Sequence, residues 1–540
     1  MPRPSPIGRQ PRSPARRQIA QAASVPAPIG GINAVDAATA MPITDAFDLV
    51  NMVGGRAGLT SRLGFAEWCI GMGGGPIRSV LSFAGSTSDK DRLFACSATD
   101  IHDVTTSDAT PASVHTFAAT STDAGWGVGT TYVTSAGHFY LYADEENGLL
   151  LYTESTDAWT VVASGTGAGE ISGVDPANVA FVASWKNRIL LVEKGTGNLW
   201  YLPVGQIAGV ASVLRLGNRF QHGGSLVGVW SWTIDGGSGV DDFLVAISSA
   251  GDVLVYQGTD PATAGAFELV GSWFVGAVPK GRRIATDTGG ELQILSLLGL
   301  IPMSRLRSGT AGPDIYTTRK IQSLFNSYAS TRRDLDGWSL ALSPEDNVLL
   351  VNMPLVGNTY EQFAMSLATQ GWAKFREVPA LSMAVWHGKL YFGTYDGRLC
   401  VATGDLDDVK LDGATTYDEI DWSGLTSFQT LGRPGRTQLQ TIRPHIWTQG
   451  TTPGFEVAAR YDFDTTALSV SPADPVAANA AVWGAAVWGV SRWPGRDTEC
   501  GQIRGATGSG THVAIAFRGR SNSKATLMGI DVTWTNGGMF

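Results

Sequence analysis

From Ala183 to Pro261 the chain consists of apolar β-rich runs broken by tight glycine turns. One part reads SWKNRILLVEKGTGNLWYLPV; after a Gly-rich insert the other reads DDFLVAISSAGDVLVYQGTDP. Gly195-Thr196-Gly197-Asn198 and Ala250-Gly251-Asp252 supply residues that accept left-handed backbone angles. Val, Ile, Leu, Tyr and Trp fill the flanking pleats, so each part predicts a β-hairpin. Further turn signals fall at Glu146-Asn147-Gly148, Thr288-Gly289-Gly290, Glu345-Asp346-Asn347 and Asp396-Gly397. Their centres lie roughly 40–55 residues apart, the period of propeller blades. With Leu93–Thr105 (LFACSATDIHDVT) as a further unit the count is about six or seven, without a WD or kelch signature. The 67 glycines exceed the usual share of about 7%, and long helical patterns are few. The expected fold is mainly β: a propeller-like, multi-bladed platform with few short helices.

Three regions follow from changes in texture. Residues 1–28 are expected to form a flexible, basic, Pro-rich arm with little to bury. Residues 29–402 carry the β units. After Thr403 the chain turns acidic and polar (DLDDVKLDGATTYDEIDW), passes a small-residue run around Val482-Trp483 and Val487-Trp488, and ends in alternating strands. Residues 403–540 are expected to form a C-terminal β-sandwich or barrel, with return of a last strand to the propeller as the alternative. Two helical signals interrupt the β pattern. Thr44 or Asp45 can cap a short turn over Phe47–Asn51, ended by Gly54-Gly55. In Thr317–Arg333, Ile321, Leu324, Phe325 and Tyr328 take the spacing of an amphipathic helix. Arg319, Lys320, Arg332 and Arg333 lie toward its ends.

The net charge of −9 conceals an asymmetry. Arg3, Arg9, Arg12, Arg16 and Arg17 give the first eighteen residues +5, which leaves about −14 for the rest. A protein that grips nucleic acid through its phosphates needs a concentrated positive surface, and outside the arm there is none. The candidate subunit-contact or DNA-facing residues are Arg12, Arg16 and Arg17 of the arm and Arg319, Lys320, Arg332 and Arg333 of the helix. Cys69, Cys96, Cys400 and Cys500 form no CxxC pair and read as reduced, buried thiols. The longest apolar run, Leu292 to Met303, is too short to span a bilayer, and the Arg-rich start lacks the apolar core of a secretory signal.

No catalytic constellation is legible. Asp144-Glu145-Glu146 and Asp241-Asp242 are neighbours on β-type backbone, where adjacent side chains point to opposite faces. His102, His115, His138, His222, His387, His445 and His512 show no HxxxH or HExxH spacing. Gly236-Gly237-Ser238-Gly239 lacks the Lys-Ser/Thr and helix of a phosphate loop. Asp405, Asp407 and Asp408 lack the calcium-loop pattern. No cofactor and no metal are implied, and the expectation is a non-enzyme. A propeller glycosidase stays open, because its two acids can be distant in sequence.

Several segments together resemble the tail nozzle (tail tubular protein B-like) proteins of short-tailed bacteriophages. They are PIGGINAVDAATAMPITDAFDLVNM with GGRAGLTSRLGF, NRILLVEKGTGNLWYLPV, GGSGVDDFLVAISSAGDVLVYQGTDP with FELVGSWFVGAVPKGRR, GELQILSLLGLIPMS, and the final GIDVTW. The likeness is strongest from about Pro26 to Met303. It implies a structural virion protein of the tail, made in the host bacterial cytoplasm and assembled as a homohexamer. The implied partners are a tail adaptor or tail-tube protein above and tail fibres or spikes at the sides. Double-stranded DNA passes through the channel without sequence-specific binding, and no lipid membrane anchor is expected. Two other classes stay open: a receptor-binding or glycan-depolymerising tail protein, and a monomeric propeller scaffold.

Overall fold

The computed structural model describes residues 20–73, 75–235, 240–263, 265–309, 312–355, 359–408, 417–431, 435–448, 451–477 and 498–536. Seven consecutive antiparallel units follow one another among these residues. Four are four-stranded meanders whose first strands are Ser79–Phe83, Val128–Thr134, Val179–Trp185 and Leu226–Asp235. The fifth has three strands, Ala285–Asp287, Leu292–Ser296 and Gly299–Pro302. The sixth runs from Ser339–Ser343 to Trp372–Phe375. The seventh takes Ser382–Trp386, Lys389–Gly393 and Leu399–Ala402 from one stretch of chain, and its fourth strand, Phe65–Cys69, from far upstream. The first strand of the seventh unit packs on that of the first, so the ring of blades closes. The fold is mainly β and propeller-like, as composition and turn spacing lead one to expect.

Side-chain alternation explains the closure. In Leu149-Leu150-Leu151-Tyr152, Leu149 and Leu151 join an apolar cluster with Val179, Val182, Ile189 and Leu191 of the third blade. Leu150 and Tyr152 point the other way, into a cluster with Leu81, Phe83 and Phe94 of the first. A run apolar at every position is therefore a strand buried on both faces. Comparable clusters fill the contacts between blades three and four, six and seven, and seven and one. Each fully buried Leu, Val or Phe contributes about 1.5–3 kcal/mol. The hairpin turns sit where the sequence places them: Gly148, Gly195, Gly251, Gly289 and Gly290 all have φ between 67° and 98°. Other turns carry no glycine. Lys186-Asn187 reverses the chain between Val179–Trp185 and Arg188–Glu193, with φ of 47° and 56°.

The last quarter of the chain packs as two facing sheets. Tyr417–Thr426, Val513–Ser521 and Gly454–Tyr461 form one. Ala525–Asn536 pairs with Thr437–Thr448 in the other. Trp422, Ile515 and Phe517 share a core with Leu439, Ile442, Ile446, Leu527 and Ile530. The boundary expected at residue 403 is crossed by hydrogen bonding, and the end of the expected flexible arm, Gln21–Pro26, is a strand because it pairs with the last strand. Gln21–Pro26 and Leu59–Ser61 pair with Ala525–Asn536, and Ala46–Val50 pairs with Tyr417–Thr426. Residues 21–61 thus belong with the sandwich, the chain enters the platform at Phe65, and it returns to the sandwich after Ala402.

The capping signal at Thr44-Asp45 does not start a helix: Ala46–Val50 is a strand. Its pairing to Ser423–Thr426 buries Leu49 and Val50, which outweighs the local preference. The second helical signal holds. Gln322–Arg332 is an α-helix entered through the 3-10 turn Arg319–Ile321, with Ile321, Phe325 and Ala329 buried.

Candidate functional site

Three places concentrate charged side chains: the axis of the platform, the two ends of the Gln322–Arg332 helix, and a groove where platform and sandwich meet. The axis is built from Pro279-Lys280-Gly281-Arg282-Arg283, which enters the fifth blade. Arg283 donates to the Arg78 carbonyl at 3.3 Å, Ser79 Oγ at 2.5 Å and the Gly127 carbonyl at 2.5 Å, reaching the first and second blades at once. Arg282 donates to Glu145 and to the Val227 carbonyl, tying blades two and four. Lys280 pairs with Asp123 at 3.1 Å and Asp336 at 2.9 Å. Burial opposes the Lys280 charge, but the two carboxylates win and hold its pKa above the ordinary value. Burial lowers the pKa of Arg283. The Arg283 guanidinium thus fastens the entry of the fifth blade to the first and second. Sequence reasoning missed this role, although three basic residues within four positions ahead of a strand were there to see.

The four helix-end candidates are engaged within the chain. Arg319 pairs with Asp314 at 2.5 Å, both largely exposed. Lys320 bonds Asp45 Oδ1 at 2.8 Å and the Gly30 carbonyl at 3.2 Å. The Arg332 guanidinium lies 4.3 Å from the centre of the Tyr328 ring. Arg333 Nε lies 3.4 Å from its neighbour Asp334, and its carbonyl accepts from the Lys280 amide. Eleven helical residues separate the pairs by about 16 Å, so they do not form one basic patch. Arg12, Arg16 and Arg17 lie outside the described residues, as do Gly236–Gly239, Val482-Trp483 and Val487-Trp488.

Lys320 completes the N-terminal motif. Asp45, buried, also accepts from Asn33 Nδ2 at 2.8 Å. Gly31 has φ 74°, and a Cβ there would lie 2.2 Å from the Trp372 nitrogen. Only glycine admits the sixth blade so closely.

The groove measures about 490 Å³. Phe47, Asp48, Arg376, Glu377, Asp421, Trp422 and Arg518 are among its walls. Asp421 is held by Arg520 at 2.7 Å and Arg518 at 2.9 Å. Its burial raises its pKa less than these two arginines lower it, so it stays ionised. Glu377, in the left-handed region at φ 66°, has its pKa raised by burial. The pKa values of the two acids are thus pushed in opposite directions, a feature shared with acid–base sites.

The remaining sequence candidates serve the scaffold. Asp144, fully buried, accepts from Tyr142 and from the Gly125, Glu146 and Asn147 amides. Asp242 pairs with Lys186 at 3.0 Å. His222, His387 and His445 each pair with a separate aspartate. Cys69, Cys96 and Cys400 are buried free thiols; burial pushes Cys69 up to about 11 and the other two further. The Cys500 side chain lies outside the described residues. Among the described residues no helix is long and apolar enough to cross a membrane, and no group of three or more His, Cys, Asp or Glu could hold a metal.

No protein-family model matches the chain, and no curated protein does. Among solved structures, a computationally designed protein, Ika8, is similar at 10% identity and TM-score 0.32, over 62% of this chain and 99% of that one. The extracellular domain of a putative hybrid two-component system from B. thetaiotaomicron is similar at 13% identity and TM-score 0.37, over 67% of this chain and 44% of that one. Likeness at this level carries no functional argument.

Proposed function

We propose that the chain is a structural virion protein, the subunit of a homohexameric tail nozzle of a short-tailed phage. The ring's channel retains genomic DNA and then conducts it during ejection. The nozzle docks to the tail adaptor or tube above and to fibres or spikes at its sides. One observation supports this reading most. The segments that resemble nozzle proteins are the fasteners of the platform: the Gly30-Gly31 loop clamped by Lys320, the hairpins of blades three and four, and the PKGRR staple at the axis. In this reading a duplex passes between copies of the chain, and the net acidity of the chain outside its basic arm keeps the DNA from binding tightly and lets it slide. Gold-labelled antibody against the protein should decorate the distal tip of the short tail in intact particles. Particles that lack the protein would overturn the proposal.

The groove supports a second reading, a receptor-binding or glycan-depolymerising tail protein, with Glu377 as the acid and Asp421 as the ionised partner. That reading requires glycan binding on an array and release of reducing sugar, abolished in Glu377→Gln.

A further inference from the structure

We propose that Asp346 is a proton-operated latch on the seam where the N-terminal segment closes the ring of blades, tight when its carboxyl is protonated and looser when it is ionised. The seam is where Phe65–Cys69 pairs with Leu399–Ala402. Immediately before that strand, Arg62 is sealed in a pair with Asp407 at 2.6 Å, both side chains at most 4% exposed. Its remaining donors go to Asn51 Oδ1 and the Leu63 and Arg376 carbonyls. Arg62 therefore has no donor left for a second carboxylate. Asp346, on the turn between the first two strands of blade six, nevertheless faces this segment, with the Leu63 amide 3.4 Å from its Oδ2.

A cavity of about 30 Å³ lies at the same place, lined by Arg62, Leu63, Phe65, Asp346 and Gln362 among others. Gln362 is fully buried, and its Oε1 finds no donor. Its amide nitrogen is spent on Asn352 Oδ1 and the Val378 carbonyl. The cavity thus gathers a carboxylate and a carbonyl oxygen that both lack a strong donor. A proton on Asp346 removes the buried charge and supplies a donor. The other charges acting on Asp346 are Lys524, across the turn before the last strand, and the adjacent Glu345.

Burial pushes Asp346 from an ordinary 3.8 up to about 6. The folded state holds a proton there that the unfolded chain has released. The latch therefore contributes fully below about pH 4, fades as pH rises toward 6, and is lost above it. Two pH units correspond to about a 100-fold change in the opening equilibrium.

Amide hydrogen exchange on the full chain at pH 5 and pH 8, corrected for intrinsic rates, tests the latch. In the wild type, protection of residues 65–69 should fall by about 10-fold relative to residues 189–193 of blade three, the part of the full change that lies between these two pH values. In Asp346→Asn, which is neutral at both pH values, it should stay constant. Equal pH dependence of the two strands in the wild type alone would overturn the proposal, as would persistence of the loss in Asp346→Asn. The wild-type comparison decides the matter even if the variant folds poorly.

Discussion

Replacing Arg283 by methionine keeps a long apolar stem and removes the guanidinium from the axis. Three hydrogen bonds are lost, to the Arg78 carbonyl, Ser79 Oγ and the Gly127 carbonyl. Bonds from a charged donor contribute about 1.5–3 kcal/mol each, and a stripped buried acceptor costs about 1–3 kcal/mol. Ser79 Oγ and Gly127 keep their mutual bonds, which softens the loss at two of the three acceptors. Relief of the desolvation of a buried charge offsets several kcal/mol more. The net expectation is a destabilisation of about 3 kcal/mol. Urea titration followed by tryptophan fluorescence would register it as a lower midpoint with an unchanged slope. Hydrogen exchange would locate it in Ser79–Phe83 and Val128–Thr134, the strands that begin beside the lost acceptors. Arg283→Lys should recover only part of the effect, because one ammonium cannot reach all three acceptors in a fixed fork. An Arg283→Met protein with the wild-type midpoint and unchanged protection in both strands would refute the idea that the axis is stapled.

Three further outcomes follow from other sites. Gly31→Ala should destabilise by more than 1 kcal/mol, since it adds left-handed strain to a collision with the Trp372 backbone; a calorimetric melt would show it. Asp421→Asn should cost about 2 kcal/mol at neutral pH by removing the carboxylate shared by Arg518 and Arg520 and leaving Arg520 only the exposed Asp474. Its folded pKa is depressed, so that contribution is present above about pH 4 and disappears as pH falls through the lower folded value, the opposite sign to Asp346. Cys69, Cys96 and Cys400 should resist a disulfide reagent at pH 8 in the native protein and react on denaturation, because burial disfavours their thiolates.

What was legible in the sequence was local. The glycine turns are visible because φ above zero is a property of one or two residues, and the Gln322–Arg332 helix because its apolar spacing lies within one segment. The Lys186-Asn187 turn escaped because two non-glycine residues carry the left-handed angles. The closing strand Phe65–Cys69 was invisible because its partner Leu399–Ala402 lies more than 300 residues away, and no local pattern encodes that pairing. The strands that tie residues 21–61 to the end of the chain escaped for the same reason. Asp45 shows how context changes a role: a capping residue by its neighbours, it is a buried anchor for Asn33 and Lys320 in the fold. The helix-end arginines read in sequence as a contact surface have neighbours within the chain, Asp314, Tyr328 and Asp334, while the Arg319 and Arg333 side chains stay more than half exposed.

Single-particle electron microscopy of the purified protein, paired with its mass in solution, bears most directly on the nozzle proposal. A nozzle subunit should give six-fold rings with a central opening and a mass six times 57.0 kDa. A stable 57.0 kDa monomer at micromolar concentration, forming no rings alone or with tail proteins, would contradict it.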